Sequence, residues 1–227
     1  MSNNTTVAVM DQYSDATAGS TNSNVHMGLS HVSLPAGDNA KNVDINSTAS
    51  VALAVQPLIG LLLLRATDGT SALSDALLAR CGVALSARLQ STSKGEYCVR
   101  WMSPDSWLLS CPVDKTFAIE NDLRKAVSAH VAIVNVSGGY TVLELSGAHA
   151  RDVLMKSTGY DVHPDHLSAG KVVNTTFAKA QVTLRCVDLH EGQGRYELIV
   201  RRSFSDYVWL WIQRASAEYG LHATNAG

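Results

Sequence analysis

The densest run of side chains able to hold a metal or move protons is Asp161-Val162-His163-Pro164-Asp165-His166, with two imidazoles and two carboxylates. A zinc-like ion needs three or four such ligands at fixed geometry, with further groups orienting them. Pro164 places a turn between the histidines and no helical repeat aligns them, so the run is read as a solvated loop. His149 precedes Asp152 by three positions in a predicted helix and is read as a surface histidine. Nucleophile motifs are missing as well. There is no Gly-x-Ser-x-Gly elbow, and Cys81, Cys98, Cys111 and Cys186 form no Cys-x-x-Cys pair. They are read as buried, reduced thiols. Ser137-Gly138-Gly139 has the composition of an anion-binding loop, but no helix dipole lies behind it. Gly192-Gln193-Gly194 precedes a strand rather than a helix. Both are read as turns, and the chain assembles no complete catalytic site.

The elements around these residues follow from apolar spacing and turn chemistry. Residues 61–65 form a short buried strand, and Ser71 is placed as the cap of a helix reaching Cys81 with Leu73, Ala76, Leu77 and Leu78 on one side. Residues 96–102 and 106–111 make a hairpin turned by Ser103-Pro104-Asp105. A helix over 117–130 carries Phe117, Ile119, Leu123 and Val127. Residues 131–136 and 140–145 are predicted as a second hairpin, followed by a helix opening at Ser146-Gly147. After a loop over 161–170, residues 181–187 and 195–201 make a third hairpin. The last helix is capped by Ser203, with Asp206 near its positive end.

That helix shows apolar residues at Phe204, Tyr207, Val208, Trp211, Ile212 and Ala215. Trp209 and Trp211 lie about 200° apart on it, so they cannot share one face. With Trp211 turned to the core, Trp209 points elsewhere: either the helix packs a wide face against two parts of the same domain, or Trp209 is exposed at a partner surface. Trp209 or the neighbouring Arg201 and Arg202 are the expected partner contacts. Hairpins alternating with helices predict an α+β architecture of antiparallel sheets covered on one face.

Of the 227 residues, 46% are hydrophobic and 17% charged, enough for a real core. The net charge of −2 and scattered basic residues argue against a nucleic-acid partner. Residues 1–50 are rich in Ser, Thr, Asn, Gly and Asp and are predicted to be a disordered tail, leaving one domain over 51–227. The most apolar run, 51–64, is interrupted by Gln56, Pro57 and Gly60 and falls short of the roughly 20 residues that cross a membrane. No signal-peptide pattern is present. A cytoplasmic location without membrane attachment is expected.

Three stretches carry a resemblance. They are Arg100-Trp101-Met102-Ser103-Pro104-Asp105-Ser106-Trp107-Leu108-Leu109, then Val134-Asn135-Val136-Ser137 with the run from Leu143 to Leu154, and Val200-Arg201-Arg202-Ser203-Phe204-Ser205-Asp206-Tyr207-Val208-Trp209. In this order and spacing they resemble the gamma subunit of heterotetrameric sarcosine oxidase, over residues 54 to 221. The strand 61–65 fits that family's first core strand.

The resemblance implies a non-catalytic gamma subunit working with alpha, beta and delta subunits. Such complexes demethylate sarcosine oxidatively to glycine, giving methylene-tetrahydrofolate or formaldehyde together with hydrogen peroxide. FAD, FMN, NAD and tetrahydrofolate are then expected in the partner subunits, and none in this chain. The fold implied is that of the folate-binding domain of glycine-cleavage aminomethyltransferase. Asn135-Val136-Ser137, Gly147-Ala148-His149-Ala150 and Gly170 look like that domain's Asp-Leu-Ser segment, Gly-x-x-Ala strand end and Gly-ended loop. Where transferases place aspartates near folate, this chain has Ala178-Lys179-Ala180-Gln181-Val182-Thr183, and Asn135 replaces an aspartate. A neutral amide neither takes a proton as a base nor holds a cationic amine. The alternative reading is a stand-alone folate-binding protein or one-carbon transferase.

Overall fold

Leu61-Leu62-Leu63-Leu64 is apolar on both sides of a strand, so both faces of whatever sheet it joins must be covered. The computed structural model, which describes Leu29, Ala36–Gly37 and residues 50–190 and 193–226, shows how. Successive side chains point to opposite faces. Leu61 faces a second sheet, while Leu62, Leu64 and Ala66 face helices.

The elements in chain order are β1 (Ala36–Gly37), β2 (Val51–Val55), β3 (Gly60–Ala66), α1 (Thr70–Cys81), β4 (Ser91–Lys94), β5 (Tyr97–Ser103), β6 (Ser106–Cys111), α2 (Thr116–Ala126) and β7 (Val131–Asn135). There follow β8 (Tyr140–Ser146), α3 (Ala150–Met155), β9 (Val172–Phe177), β10 (Ala180–His190), β11 (Gln193–Arg201), α4 (Ser205–Ala215) and β12 (Leu221–Ala226). One sheet has the order β1-β12-β2-β8-β11-β10-β9 and the other β4-β5-β6-β3-β7. The small sheet is thus built from one continuous stretch, and the chain before and after it builds the large one.

Three apolar clusters define the layers. Leu73, Leu77, Ile119 and Leu123 of α1 and α2 pack on the small sheet. Val153, Leu154, Val208, Trp209 and Ile212 of α3 and α4 pack on the large one. Leu61 and Leu108 meet Val142 and Ile199 between the sheets. The order is helices, sheet, sheet, helices, which is the predicted α+β class with antiparallel hairpins. Among the described residues no helix is long and apolar enough to cross a membrane.

Several local expectations change. Residues 131–136 and 140–145 do not pair as a hairpin: β7 pairs with β3, and β8 pairs with β2 and β11 in the other sheet. The reason lies in Ser137-Gly138-Gly139. Val136 donates its N–H to the Leu61 carbonyl at 2.9 Å and Gly139 donates to Val136 at 2.9 Å. These bonds wind a single 3₁₀ turn that carries the chain from sheet to sheet. Ser71 and Ser203 cap nothing. Gly69, in left-handed conformation, opens α1, and a 3₁₀ turn over Arg202–Phe204 leads into α4. Of the predicted tail, Leu29 is buried in the large-sheet core and Ala36–Gly37 pairs in parallel with β12. Apart from these and Ser50, the tail lies outside the described residues, as does Glu191-Gly192 of the third hairpin turn.

The Ser103-Pro104-Asp105 turn forms as expected. Asp105 accepts from the Ser103 hydroxyl at 2.7 Å, the Arg65 guanidinium at 2.6 Å and the Ser106 hydroxyl at 3.0 Å. Those donors lower its carboxyl to about 2.

Candidate functional site

Polar chemistry concentrates between the two sheets, on the faces that β5, β10 and β11 turn toward each other. Arg100 sits in β5 between Val99 and Trp101, which both face the helix side, so strand alternation sends Arg100 into the space between the sheets. Its side chain is 2% exposed and its fork meets Glu197 of β11 in two bonds, Nε to Oε1 at 2.7 Å and Nη2 to Oε2 at 2.6 Å. Nη1 donates to the Ser110 hydroxyl at 3.0 Å. Arg185 of β10 donates to the hydroxyls of Ser91 and Ser93, both at 2.9 Å, with its Nη1 3.8 Å from Glu197. Arg195 joins Glu144 at 3.2 Å and Asp188 at 2.6 Å. Burial pushes the Glu197 carboxyl up, but Arg100, Arg185 and Arg195 outweigh it and hold it below its ordinary value. Burial works against the Arg100 charge too, and Glu197 overrides it, so the guanidinium is raised. Arg100, Arg185, Arg195, Glu144, Asp188 and Glu197 all bond protein partners, and the Arg100 and Arg185 bonds tie the two sheets together.

The transferase-like segments have structural roles. The Asn135 side-chain oxygen accepts from the Ser137 hydroxyl at 2.6 Å and the Ser137 N–H at 3.1 Å, while the Ser137 hydroxyl accepts from Leu61 N–H at 2.9 Å. Asn135 and Ser137 therefore fix the crossover turn. Thr183 donates to Asn174 at 2.7 Å, and the Asn174 amide donates to the Met102 carbonyl at 2.7 Å, a further stitch between sheets. Gly170 accepts from the Ser91 N–H and hydroxyl, both at 2.8 Å. With Asn135, Ser137 and Thr183 so engaged and no carboxylate among residues 178–183, these positions do not fit the acid–base chemistry of a folate cofactor.

Gly147 has φ +106°, and a Cβ on it would lie 2.4 Å from the Ser50 carbonyl oxygen. Both the backbone conformation and the close approach demand glycine. Gly147→Ala is therefore expected to cost at least about 2 kcal/mol in urea unfolding. A stability within 0.5 kcal/mol of the parent would show that this contact relaxes freely.

The other candidates behave as surface or core. His163 pairs with Asp165 at 3.3 Å and His166 with Asp161 at 3.5 Å, all four well exposed. Among the described residues no group of three or more His, Cys, Asp or Glu is placed to hold a metal ion. His149 bonds Asp152 at 2.7 Å and stacks on Tyr219 with ring centroids 4.4 Å apart, pinning α3 to the chain that enters β12. All four cysteines are free and buried, and burial raises the Cys81 and Cys186 thiols to about 11, away from reactivity.

The predicted partner-contact residues are not brought together. Trp209 lies in the large-sheet core at 6% exposure, on the face shared by Ser205, Val208 and Ile212. Trp211 takes the shoulder of the helix, its indole N–H donating to Ser157 at 3.0 Å. Within the apolar run 207–212 the exposed positions are Tyr207 and Leu210. Arg201 is exposed at the end of β11, and Arg202 is half-buried in the following turn. The sequence reading missed Arg100 and Glu197 as a pair. Its signal was a charge inside an apolar strand.

The sequence pattern of the sarcosine oxidase, gamma subunit family matches residues 65–218. The chain belongs to that family. A curated relative, sarcosine oxidase subunit gamma of Corynebacterium sp. (strain U-96), is 28% identical over 160 residues, which is 69% of this chain and 74% of the relative. The subunit gamma of Corynebacterium sp. (strain P-1) is 30% identical over 122 residues, covering 53% of this chain and 57% of that protein. Among solved structures, the heterotetrameric sarcosine oxidase from Corynebacterium sp. U-96 in complex with pyrrole 2-carboxylate contains a chain matching at TM-score 0.70 and 25% identity. That match covers 86% of this chain and 96% of the solved one. Aminomethyltransferase T of the glycine cleavage system from Bartonella henselae matches at TM-score 0.56 and 14% identity, over 78% of this chain and 48% of that protein. It shares the fold. This chain thus shares an architecture with the transferase, while its own polar residues at the transferase-like positions fix the crossover turn and stitch the two sheets.

Proposed function

We propose that this chain is the non-catalytic gamma subunit of a heterotetrameric sarcosine oxidase, assembling with alpha, beta and delta subunits in the cytoplasm. In this reading the complex demethylates sarcosine to glycine, with methylene-tetrahydrofolate or formaldehyde and hydrogen peroxide as products. FAD, FMN, NAD and tetrahydrofolate belong to the partner subunits. The observation that carries the reading is the match to nearly the whole length of a chain in a heterotetrameric sarcosine oxidase. It is supported by the engagement of Asn135, Ser137, Asn174 and Thr183 with the chain's own backbone and side chains. A folate-binding transferase would need such groups turned toward a ligand.

The test is co-expression of the chain with the other subunits. The expected result is co-purification of an active complex, while the isolated chain shows no flavin absorbance, no sarcosine oxidation and no calorimetric response to tetrahydrofolate. Failure to recover the chain with any subunit would overturn the assignment. Micromolar tetrahydrofolate binding by the isolated chain would favour a folate-binding protein instead.

A further inference from the structure

Besides their facing surfaces, the two sheets are joined at one pair of edges. There the edge strands β4 and β9 are joined: Gln90 bridges Lys171, Val172 donates its N–H to Leu89, and Arg185 takes the hydroxyls of Ser91 and Ser93. The opposite edge of the small sheet is β7, whose only strand neighbour among the described residues is β3. The register fixes which of its backbone groups are free. Val136 donates to Leu61, so the antiparallel ladder bonds through residues 132, 134 and 136, and the N–H and C=O groups of Val131, Ile133 and Asn135 point outward. The Ile133 carbonyl confirms this direction, since it accepts from Arg124, which reaches over the edge from α2.

Edge strands are usually guarded by charges on the strand, proline or a bulge. β7 reads Val-Ala-Ile-Val-Asn, pairs in unbroken register, and leaves the side chains of Ala132 and Val134 exposed. Among the described residues only Arg124 covers its outer side. Arg124, bonded to Glu120 at 2.9 Å, is the cation that reaches this edge. A guanidinium lying over the edge favours a carboxylate-bearing occupant.

We propose that the outer edge of β7 is a strand-addition site for an extended, acidic segment of a partner subunit. The inference rests on the gamma-subunit reading. The segment extends the small sheet by main-chain hydrogen bonds to Val131 and Ile133, and Arg124 turns from the Ile133 carbonyl to a carboxylate of the incoming strand.

Hydrogen–deuterium exchange on the free chain and on the assembled complex tests this. In the free chain the amides of Val131 and Ile133 should exchange faster than those of Ala132 and Val134, and assembly should slow them at least about tenfold. Val131→Pro removes an outward donor at the first residue of the strand and trims a half-buried side chain at the margin of the small-sheet core. The chain should therefore keep its circular dichroism and lose only a few degrees of melting temperature, with Val131→Ala as the packing control that assembles normally. Recovery of Val131→Pro in the complex should fall at least about tenfold. Arg124→Gln should make assembly less sensitive to salt. If the complex forms but these amides stay fast, the edge assignment is wrong and the subunit reading survives. Amides already protected in the isolated chain, by its own N-terminal residues or by a second copy, would also overturn it. A chain that joins no complex sinks the subunit reading instead.

Discussion

Arg100→Met, with Glu197 left in place, is expected to lower the unfolding free energy by about 3–5 kcal/mol and the melting temperature by roughly 10 °C. Urea and thermal denaturation of the isolated chain measure both. Methionine fills much of the space, so the loss comes from Glu197, which keeps its burial and loses two short bonds from a guanidinium. Leaving an uncompensated charge inside costs more than the intact pair contributes over apolar groups. Arg100→Met/Glu197→Leu should therefore recover part of the loss. It should not recover all of it, because Arg185 and Arg195 also face that carboxylate. Full recovery would mean that the Arg100–Glu197 pair acts alone.

The same pair sets an acid limit. Glu197 is held below its ordinary value of 4.5 in the folded chain. A lowered carboxyl contributes stability that is complete above the unfolded-state pKa and lost as pH falls through the folded one. The parent chain should lose stability progressively below about pH 4.5, with Asp105 adding to the fall between its ordinary 3.8 and about 2. In Arg100→Met the Glu197 part of that slope should shrink, because burial then opposes a weaker attraction. An unchanged slope in the variant would place the acid sensitivity elsewhere.

Much of the architecture was legible from local patterns. The β5–β6 and β10–β11 hairpins and the helices α1 and α2 follow apolar spacing and turn residues, and the structure moves their ends by only a few residues at most places. β9, Val-Val-Asn-Thr-Thr-Phe, was missed although its β-branched residues favour a strand, whereas two other missed strands lack that signal. β4 is Ser-Thr-Ser-Lys, held by its pairing with β5, and β12 is mostly small or polar and lies in parallel between β1 and β2. β2 was folded into a longer apolar run because both its faces are buried, which erases alternation. The β7–β8 error has another origin. Two strands joined by Ser-Gly-Gly read as a hairpin unless one knows that the Leu61 N–H and C=O are waiting for Ser137 and Val136, contacts 75 or so residues away in sequence. The resemblance to a family identified what composition could not, since the groups that distinguish a transferase from its structural relative are few and their roles depend on long-range partners.

Trp209→Ala is the second substitution expected to act strongly, and the sign of its meaning reverses from the sequence reading. Residues 207–212 are six consecutive apolar side chains, so periodicity within them cannot name the buried face. The face is set by what flanks them. Ser205 and Ser216 are buried at the two ends, and with Val208, Trp209 and Ile212 they lie along one side of α4, which places the indole of Trp209 under the helix. Truncating it should cost about 3–5 kcal/mol of stability, seen as an early urea transition and a loss of near-ultraviolet circular dichroism. Leu210→Ala, one residue on and 51% exposed, should change stability by no more than about 0.5 kcal/mol. Any failure of Trp209→Ala to join a complex should then scale with its unfolded fraction and be repaired in part by Trp209→Phe, which restores packing without the indole. If Trp209→Ala folds with parental stability yet no longer assembles, the helix exposes its tryptophan and the core assignment falls.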